Sequence, residues 1–158
     1  MRAKALILTL LMVMFITGTA FAAKPVIKSD RSYFDINTGL YVLSGNVTIQ
    51  VNNRTITAGQ AKISMASLEI WGSGGVTVTQ DDIFFTGDSV YVYGTEQRAK
   101  IDGGVLFKRT DLSIQADRVD YSWDTKVAAF EGNVKITQNG NVTLTPKTRY
   151  NVRTNCFE

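Results

Sequence analysis

The stretch Gly-Asn-Val-Lys-Ile at residues 132–136 is the last of four similar segments in this chain of 158 residues. The earlier copies are Gly-Asn-Val-Thr-Ile at 45–49, Gly-Gly-Val-Thr-Val at 74–78 and Gly-Gly-Val-Leu-Phe at 103–107. The copies begin at 45, 74, 103 and 132, so each step is 29 residues and no insertion interrupts the series. A constant step of this size indicates a repeat protein, in which one structural unit stacks on the next.

The sequence between these copies keeps the same period. Ile-Thr-Ala-Gly at 56–59 matches Phe-Thr-Gly-Asp at 85–88 and Ile-Gln-Ala-Asp at 114–117. Residues 27–34 resemble the second half of a unit and supply a half repeat before the first full one. The fourth unit is the least regular, with Pro146 at the position that Asp117 has in the third. An atypical unit is expected where the stacking of repeats stops.

Within each unit apolar and polar residues alternate, as they do in β-strands with one buried face. The alternation changes phase in the second half of the unit, because apolar positions 56 and 58 are followed by 61 and 63, on either side of Gly59. Such a change indicates a bulge or corner, after which side chains again face inward. The repeated Gly-Asn and Gly-Gly pairs are interpreted as the points where strands begin.

These features predict an all-β fold, an elongated open β-jelly roll. We expect a two-sheet sandwich built from four 29-residue repeats plus the N-terminal half repeat. The predicted domain covers residues 23–152, and residues 153–158 form a C-terminal tail. The tail contains Cys156, the single cysteine of the chain, so an internal disulfide framework is excluded.

Residues 1–22 have the features of a signal peptide. Arg2 and Lys4 give a charged start, an apolar stretch follows, and Ala20-Phe21-Ala22 is a cleavage site of the Ala-x-Ala kind. An uncleaved membrane anchor is the alternative, since the whole stretch approaches the roughly 17–20 residues that span a bilayer. The short apolar run, with small and polar residues at its end, favours cleavage after Ala22 and export of the mature chain.

Composition argues against several classes of function. Without Arg2 and Lys4 of the leader, 15 basic residues face 14 acidic ones, which is not the clustered positive charge of a nucleic-acid-binding protein. Histidine is absent, which removes the commonest general base and metal ligand. We therefore predict that the protein is not an enzyme and has neither a cofactor nor a metal site.

Two features could still indicate catalysis. Asp30, Asp88 and Asp117 recur at the predicted corner, but one carboxylate per repeat is spread out, and we interpret them as acceptors of backbone N–H groups in the turn. Trp71 and Trp123 are the only support for a carbohydrate-acting enzyme, and each is equally typical of a residue that packs on a sheet.

The apolar residues whose alternation places them on the inward face of each strand are the candidates for a binding site. They have two interpretations, a sealed hydrophobic core or an apolar trough between the sheets that receives acyl chains. The candidates are Val47, Ile49, Ile56, Ile63, Val76, Val78, Phe85, Val92, Val105, Phe107, Ile114, Tyr121, Val134 and Ile136.

The repeat also resembles a known family. Ile-Gln-Ala-Asp-Arg-Val-Asp-Tyr at 114–121, followed by Phe-Glu-Gly-Asn-Val at 130–134, is similar to the unit of the OstA-like (LptA) family of lipopolysaccharide-transport proteins. Tyr-Phe-Asp at 33–35 with Leu-Ser-Gly-Asn-Val at 43–47 is a second such pair, and the resemblance covers about residues 26–150.

The resemblance implies a non-enzymatic periplasmic carrier or bridge that binds lipopolysaccharide acyl chains in an apolar groove. It also implies head-to-tail self-association and contact with inner- and outer-membrane transport components of the same family. The alternative is a structural or adhesive exported β-repeat protein with a sealed core. Lipid that copurifies with the protein would distinguish the two.

Overall fold

The computed structural model describes residues 25–158, so the predicted signal peptide and its cleavage site lie outside the described residues. All regular elements of the described residues are strands, and none of these residues forms a helix able to cross a membrane. The strands are β1 (Val26–Lys28), β2 (Arg31–Asp35), β3 (Leu40–Val51), β4 (Arg54–Ser64), β5 (Glu69–Gln80), β6 (Ile83–Tyr93), β7 (Arg98–Arg109), β8 (Leu112–Ser122), β9 (Val127–Gln138), β10 (Asn141–Asn151) and β11 (Cys156–Phe157).

The strands form one antiparallel sheet in which β3 to β10 follow each other in chain order. β1 and β2 both pair with the same edge of β3, one after the other, and together they occupy the place of one long strand. The odd-numbered strands β3, β5, β7 and β9 begin at 40, 69, 98 and 127, and each start is 29 residues after the last. The predicted repeat and its N-terminal half unit are therefore confirmed.

Every long strand bends at a corner in its middle. Pairing stops at Ser44 and resumes at Val47 in β3, and the same shift occurs in each later strand pair. In the odd-numbered strands the two residues at the corner both have positive φ angles, a conformation that glycine and, less readily, asparagine tolerate. These pairs are Gly45-Asn46, Gly74-Gly75, Gly103-Gly104 and Gly132-Asn133.

The interpretation of these pairs as strand beginnings was wrong, because they lie inside strands of 12 residues. The corner aspartates also differ from expectation. Asp30 and Asp117 accept hydrogen bonds of 2.9 Å from the side-chain amides of Asn46 and Asn133, where backbone N–H donors were predicted. These carboxylates thus bind the corner of the neighbouring strand and not the backbone of their own turn.

The corners divide the sheet into two layers that face each other. Layer A contains β1 and the hairpins 47–58, 76–87, 105–116 and 134–145, and layer B contains the remaining segments. Across the layers, Phe85 contacts Tyr121 with ring centroids 5.3 Å apart, and Phe107 contacts Tyr150 at 5.8 Å. The predicted β-jelly roll is confirmed, and its two sheets are one continuous sheet folded along the line of corners.

The turns of the two layers differ in length. Hairpins of layer A close with two residues, such as Asn52-Asn53 and Asn139-Gly140. Asn52, Asn139 and Gly140 have positive φ angles, which suit tight turns between twisted strands. Hairpins of layer B close with four residues, such as 65–68. The C-terminal tail also has structure, because residues after Asn151 turn back and β11 pairs with the end of β10.

We predict that a side chain at a corner glycine destabilises the fold more than one at a turn glycine. Gly132 and Gly140 have almost the same φ, +79° and +81°, but a Cβ at Gly132 meets Asp117, whereas a Cβ at Gly140 meets open space. Gly140→Ala should cost about 1 kcal/mol of unfolding free energy from backbone strain alone. Gly132→Ala should cost at least about 2 kcal/mol, because a steric clash is added. If urea denaturation shows the same loss of unfolding free energy for both variants, close packing at the corner is unimportant.

Candidate lipid-binding site

The structure places the predicted candidates on the inner surface of the fold. Thirteen of the fourteen are buried, and Ile136 is partly buried against the same core. The inward parity of all fourteen is therefore confirmed. Their role as a lipid groove stays a prediction, because burial alone is equally consistent with a core.

The interior is packed closely around Phe107 of the third unit. Phe107 is fully buried and contacts Phe85 at 4.9 Å and Phe130 at 5.7 Å between ring centroids. Aromatic side chains bury large areas, and tilted pairs at these distances add to the stability of the core. Phe107 is thus a central core residue and does not lie beside an opening between the layers.

An open cavity of about 440 Å³ lies between the layers at the N-terminal end of the roll. Four of the predicted candidates line it, namely Ile49, Ile56, Ile63 and Val92. Sequence analysis did not identify the other lining residues, several of which lie in turns or at strand ends. These are Pro25, Ile27, Val51, Asn52, Arg54, Ser64, Met65, Leu68, Ile70, Gly94 and Trp123.

The cavity exists because inward side chains beside it are smaller in the first two units than in the later ones. The position of Ile63 is occupied by Val92, Tyr121 and Tyr150 in the following units, at steps of 29 residues. Near the corner the layers remain in contact, since a Cβ at Gly72 would lie 3.5 Å from that of Ala58 in the opposite layer. The layers therefore diverge toward the hairpin tips, and only the larger aromatic side chains of later units fill the gap.

The mouth of the cavity is apolar. Met65 and Leu68, in the turn between β4 and β5, expose 48% and 56% of their surfaces. Large apolar side chains in a hairpin turn are the one sequence signal that could have indicated this opening. Exposed apolar side chains beside an apolar cavity are typical of a binding site for a hydrophobic ligand.

A polar contact joins the two layers further along the roll. Arg109 of layer A donates a hydrogen bond to the carbonyl of Val152 in layer B and another to the carboxylate of Asp82 in the neighbouring hairpin of layer A. Beside them the hydroxyl of Tyr121 is buried without a partner, and burial raises the pKa of this group. A smaller cavity of about 180 Å³ here is lined by Gln80, Asp81, Asp82, Ile83, Arg109, Tyr121, Lys126, Val152 and Arg153.

The two tryptophans have different environments. Trp71 contacts Tyr91 edge-on, with ring centroids 5.0 Å apart. Its position in β5 alternates with the inward positions, so its side chain is on the outer face of the strand. Trp123 lines the apolar cavity. In residues 25–158 no three or more Cys, Asp or Glu side chains are grouped so that they could hold a metal ion.

A folded antiparallel sheet with an apolar cavity between its layers defines an open β-jelly roll. Residues 56–155 match the family described as LptA/(LptD N-terminal domain) LPS transport protein. The chain belongs to this family of lipopolysaccharide-transport proteins, and the resemblance found in the sequence is confirmed.

A solved structure has the same fold. LptH from Pseudomonas aeruginosa, described as the LptA-homologous periplasmic component of the conserved lipopolysaccharide transport device, matches with a TM-score of 0.65. The match covers 77% of this chain and 94% of LptH at 9% sequence identity, so it shows a shared fold. No curated protein matches the sequence.

Proposed function

We propose that this protein is a non-enzymatic periplasmic carrier or bridge for lipopolysaccharide and that the N-terminal cavity receives an acyl chain. The observation that carries the proposal is the apolar cavity between the layers, with Met65 and Leu68 exposed at its mouth. Membership of the transport family supports the ligand class. The predicted signal peptide and the periplasmic location of LptH support the compartment.

The size of the cavity suits part of an acyl chain. Sites for small hydrophobic ligands usually enclose about 300–1,000 Å³, and this cavity of about 440 Å³ falls within that range. Each methylene group that moves from water into such a site contributes about 0.8 kcal/mol. Passage of a chain further along the roll requires the two layers to separate where Arg109 contacts Val152.

We further propose that copies of the protein associate head to tail through the two free edges of the sheet. At one end β1 and β2 pair only with β3, and at the other end β11 covers just the last two residues of β10. Val142 and Leu144 on β10 expose 57% and 75% of their surfaces. An unpaired strand edge readily accepts a strand from another chain, and unlike edges join head to tail.

The same edges are suited to membrane-bound partners of the same fold. An inner-membrane component would pair with one edge and an outer-membrane component with the other, so that the inner surfaces of successive jelly rolls adjoin. Pro146 lies in the corner of β10, where it removes one backbone donor and limits pairing on that side.

Filling the cavity should block lipid binding without unfolding the protein. Ile63→Tyr introduces the side chain that Tyr121 and Tyr150 supply at the same repeat position, and the cavity offers space for it. We expect stability to be unchanged or raised by about 0.5–2 kcal/mol, as for other cavity-filling changes. Lipopolysaccharide bound to protein purified without denaturation should fall by about tenfold, measured by mass spectrometry.

The matched control is Thr125→Tyr, which places the same side chain in an exposed turn and should leave bound lipid unchanged. Undiminished lipid in a stable Ile63→Tyr variant would contradict the proposal that this cavity is the binding site. Absence of lipid from the unsubstituted protein as well would favour the alternative of a structural or adhesive repeat protein.

A charge at the free edge of β10 should prevent self-association. Thr143 is exposed, but it pairs with Ile136 on the inward face, so an added copy would bury it. Thr143→Lys therefore leaves the monomer stable and places an unpaired cation in the interface, which costs several kcal/mol. Sedimentation should show association that increases with concentration for the unsubstituted protein and for Thr125→Lys, and none for Thr143→Lys. Equal association of all three would exclude this edge.

A further inference from the structure

Arg54 is the single charged residue among the described residues that line the apolar cavity. It is the first residue of β4, at the tip of a layer A hairpin, and its side chain is half-buried. The guanidinium lies over the ring of Trp123, 4.2 Å from the centroid, which brings the tip of layer A against the end of β8. A cation stacked on an aromatic face in this way is held in a defined orientation.

The guanidinium of Arg54 has unused capacity for hydrogen bonds. Its Nε donates to Oε1 of Gln80 at 3.2 Å, while Nη1 and Nη2 make no hydrogen bond with residues 25–158. Arg98, Arg109, Arg118 and Arg149 each have a carboxylate within 4.0 Å, but Arg54 has none among the described residues. Arginine presents its donors as a planar fork that suits phosphate and carboxylate groups.

The surroundings leave the charge of Arg54 incompletely compensated. Burial lowers the pKa of Arg54, and the more distant Tyr121 and Asp81 offset this only in part. The carboxylate of Asp81 accepts a hydrogen bond of 2.8 Å from Asn53 instead. A half-buried cation that remains ionised and lacks a counter-ion attracts an anion from outside the protein.

We propose that Arg54 binds the anionic group of an amphiphile, a phosphate or a carboxylate, whose acyl chain occupies the cavity. Arg54 then determines the preference of the site for anionic over neutral lipids, with Trp123 holding the guanidinium at the rim. This inference rests on the proposed function, because it requires an acyl chain in the cavity. It adds a specificity-determining residue, which the apolar lining alone does not supply.

Trp123 provides a direct reporter for the test. The chain has two tryptophans, so Trp71→Phe leaves Trp123, in the cavity and against Arg54, as the sole source of tryptophan fluorescence. In this background, decyl phosphate and decanol are titrated below the concentration at which they aggregate. Both have the same apolar chain, and they differ in the charge of the head group. Inorganic phosphate is titrated as a third probe.

Decyl phosphate should bind about tenfold more tightly than decanol, since charge-assisted hydrogen bonds of an arginine fork are strong. Arg54→Gln should remove this preference, so that decyl phosphate binds no more tightly than decanol. Arg54→Lys should retain part of it, because the charge remains and the fork is lost. Arg153→Gln, an exposed cation outside the cavity, should retain all of it. Inorganic phosphate alone should not bind at millimolar concentration.

Several results would overturn the inference. Equal affinities of the unsubstituted protein for decyl phosphate and decanol would do so and leave the proposed function intact. If Arg54→Gln weakens the binding of both ligands equally and lowers the unfolding temperature, Arg54 only joins the layers and does not recognise the head group. Inorganic phosphate that binds as tightly as decyl phosphate would indicate a free-anion site. Binding of no probe at all would contradict both the inference and the proposed function.

Discussion

Two adjacent residues in the left-handed conformation, in the middle of every odd-numbered long strand, control the shape of this protein. Most side chains make that conformation costly by about 1–2 kcal/mol per residue, and here glycine or asparagine occupies all eight positions. Because the pairs recur at the same place in each repeat, the corners align and the sheet folds along one line. Both layers then turn apolar side chains toward a shared interior. The aspartates that contact the corners, such as Asp117 beside Gly132, leave no room for a side chain there.

Once the corners fix the angle between the layers, the size of the inward side chains decides where the interior is solid and where it is open. Phe107, Phe130 and Tyr150 fill the space toward the C-terminal end. The first unit has aliphatic residues such as Ile63 at equivalent positions and leaves a cavity of about 440 Å³. One fold thus combines a packed core, which supplies stability, with an under-filled end that is available to a ligand. Natural proteins commonly give up packing at a functional site and compensate elsewhere.

The sequence predicts the periodic features well and the non-periodic ones poorly. The 29-residue step, the strands and the inward parity of positions such as Ile49 follow from local alternation, which the pleat of a strand enforces. The location of the cavity does not follow from local alternation, because it depends on the combined volumes of side chains from both layers. Arg54 and Trp123 are far apart in the chain and meet only because the sheet folds. The same limit explains why the glycine pairs were interpreted as strand beginnings, because composition does not show that pairing continues beyond them.

The proposed function requires that an acyl chain enter between the layers at the N-terminal end. The most direct measurement is photo-crosslinking in cells, with a photo-reactive residue in place of Met65 at the mouth of the cavity, or in place of Lys62 on the opposite face of the same strand pair. Both sites are exposed, so the fold should tolerate either replacement. We expect lipopolysaccharide crosslinks from position 65 and none from position 62. Crosslinks of equal yield from both positions, or from position 62 alone, would contradict it.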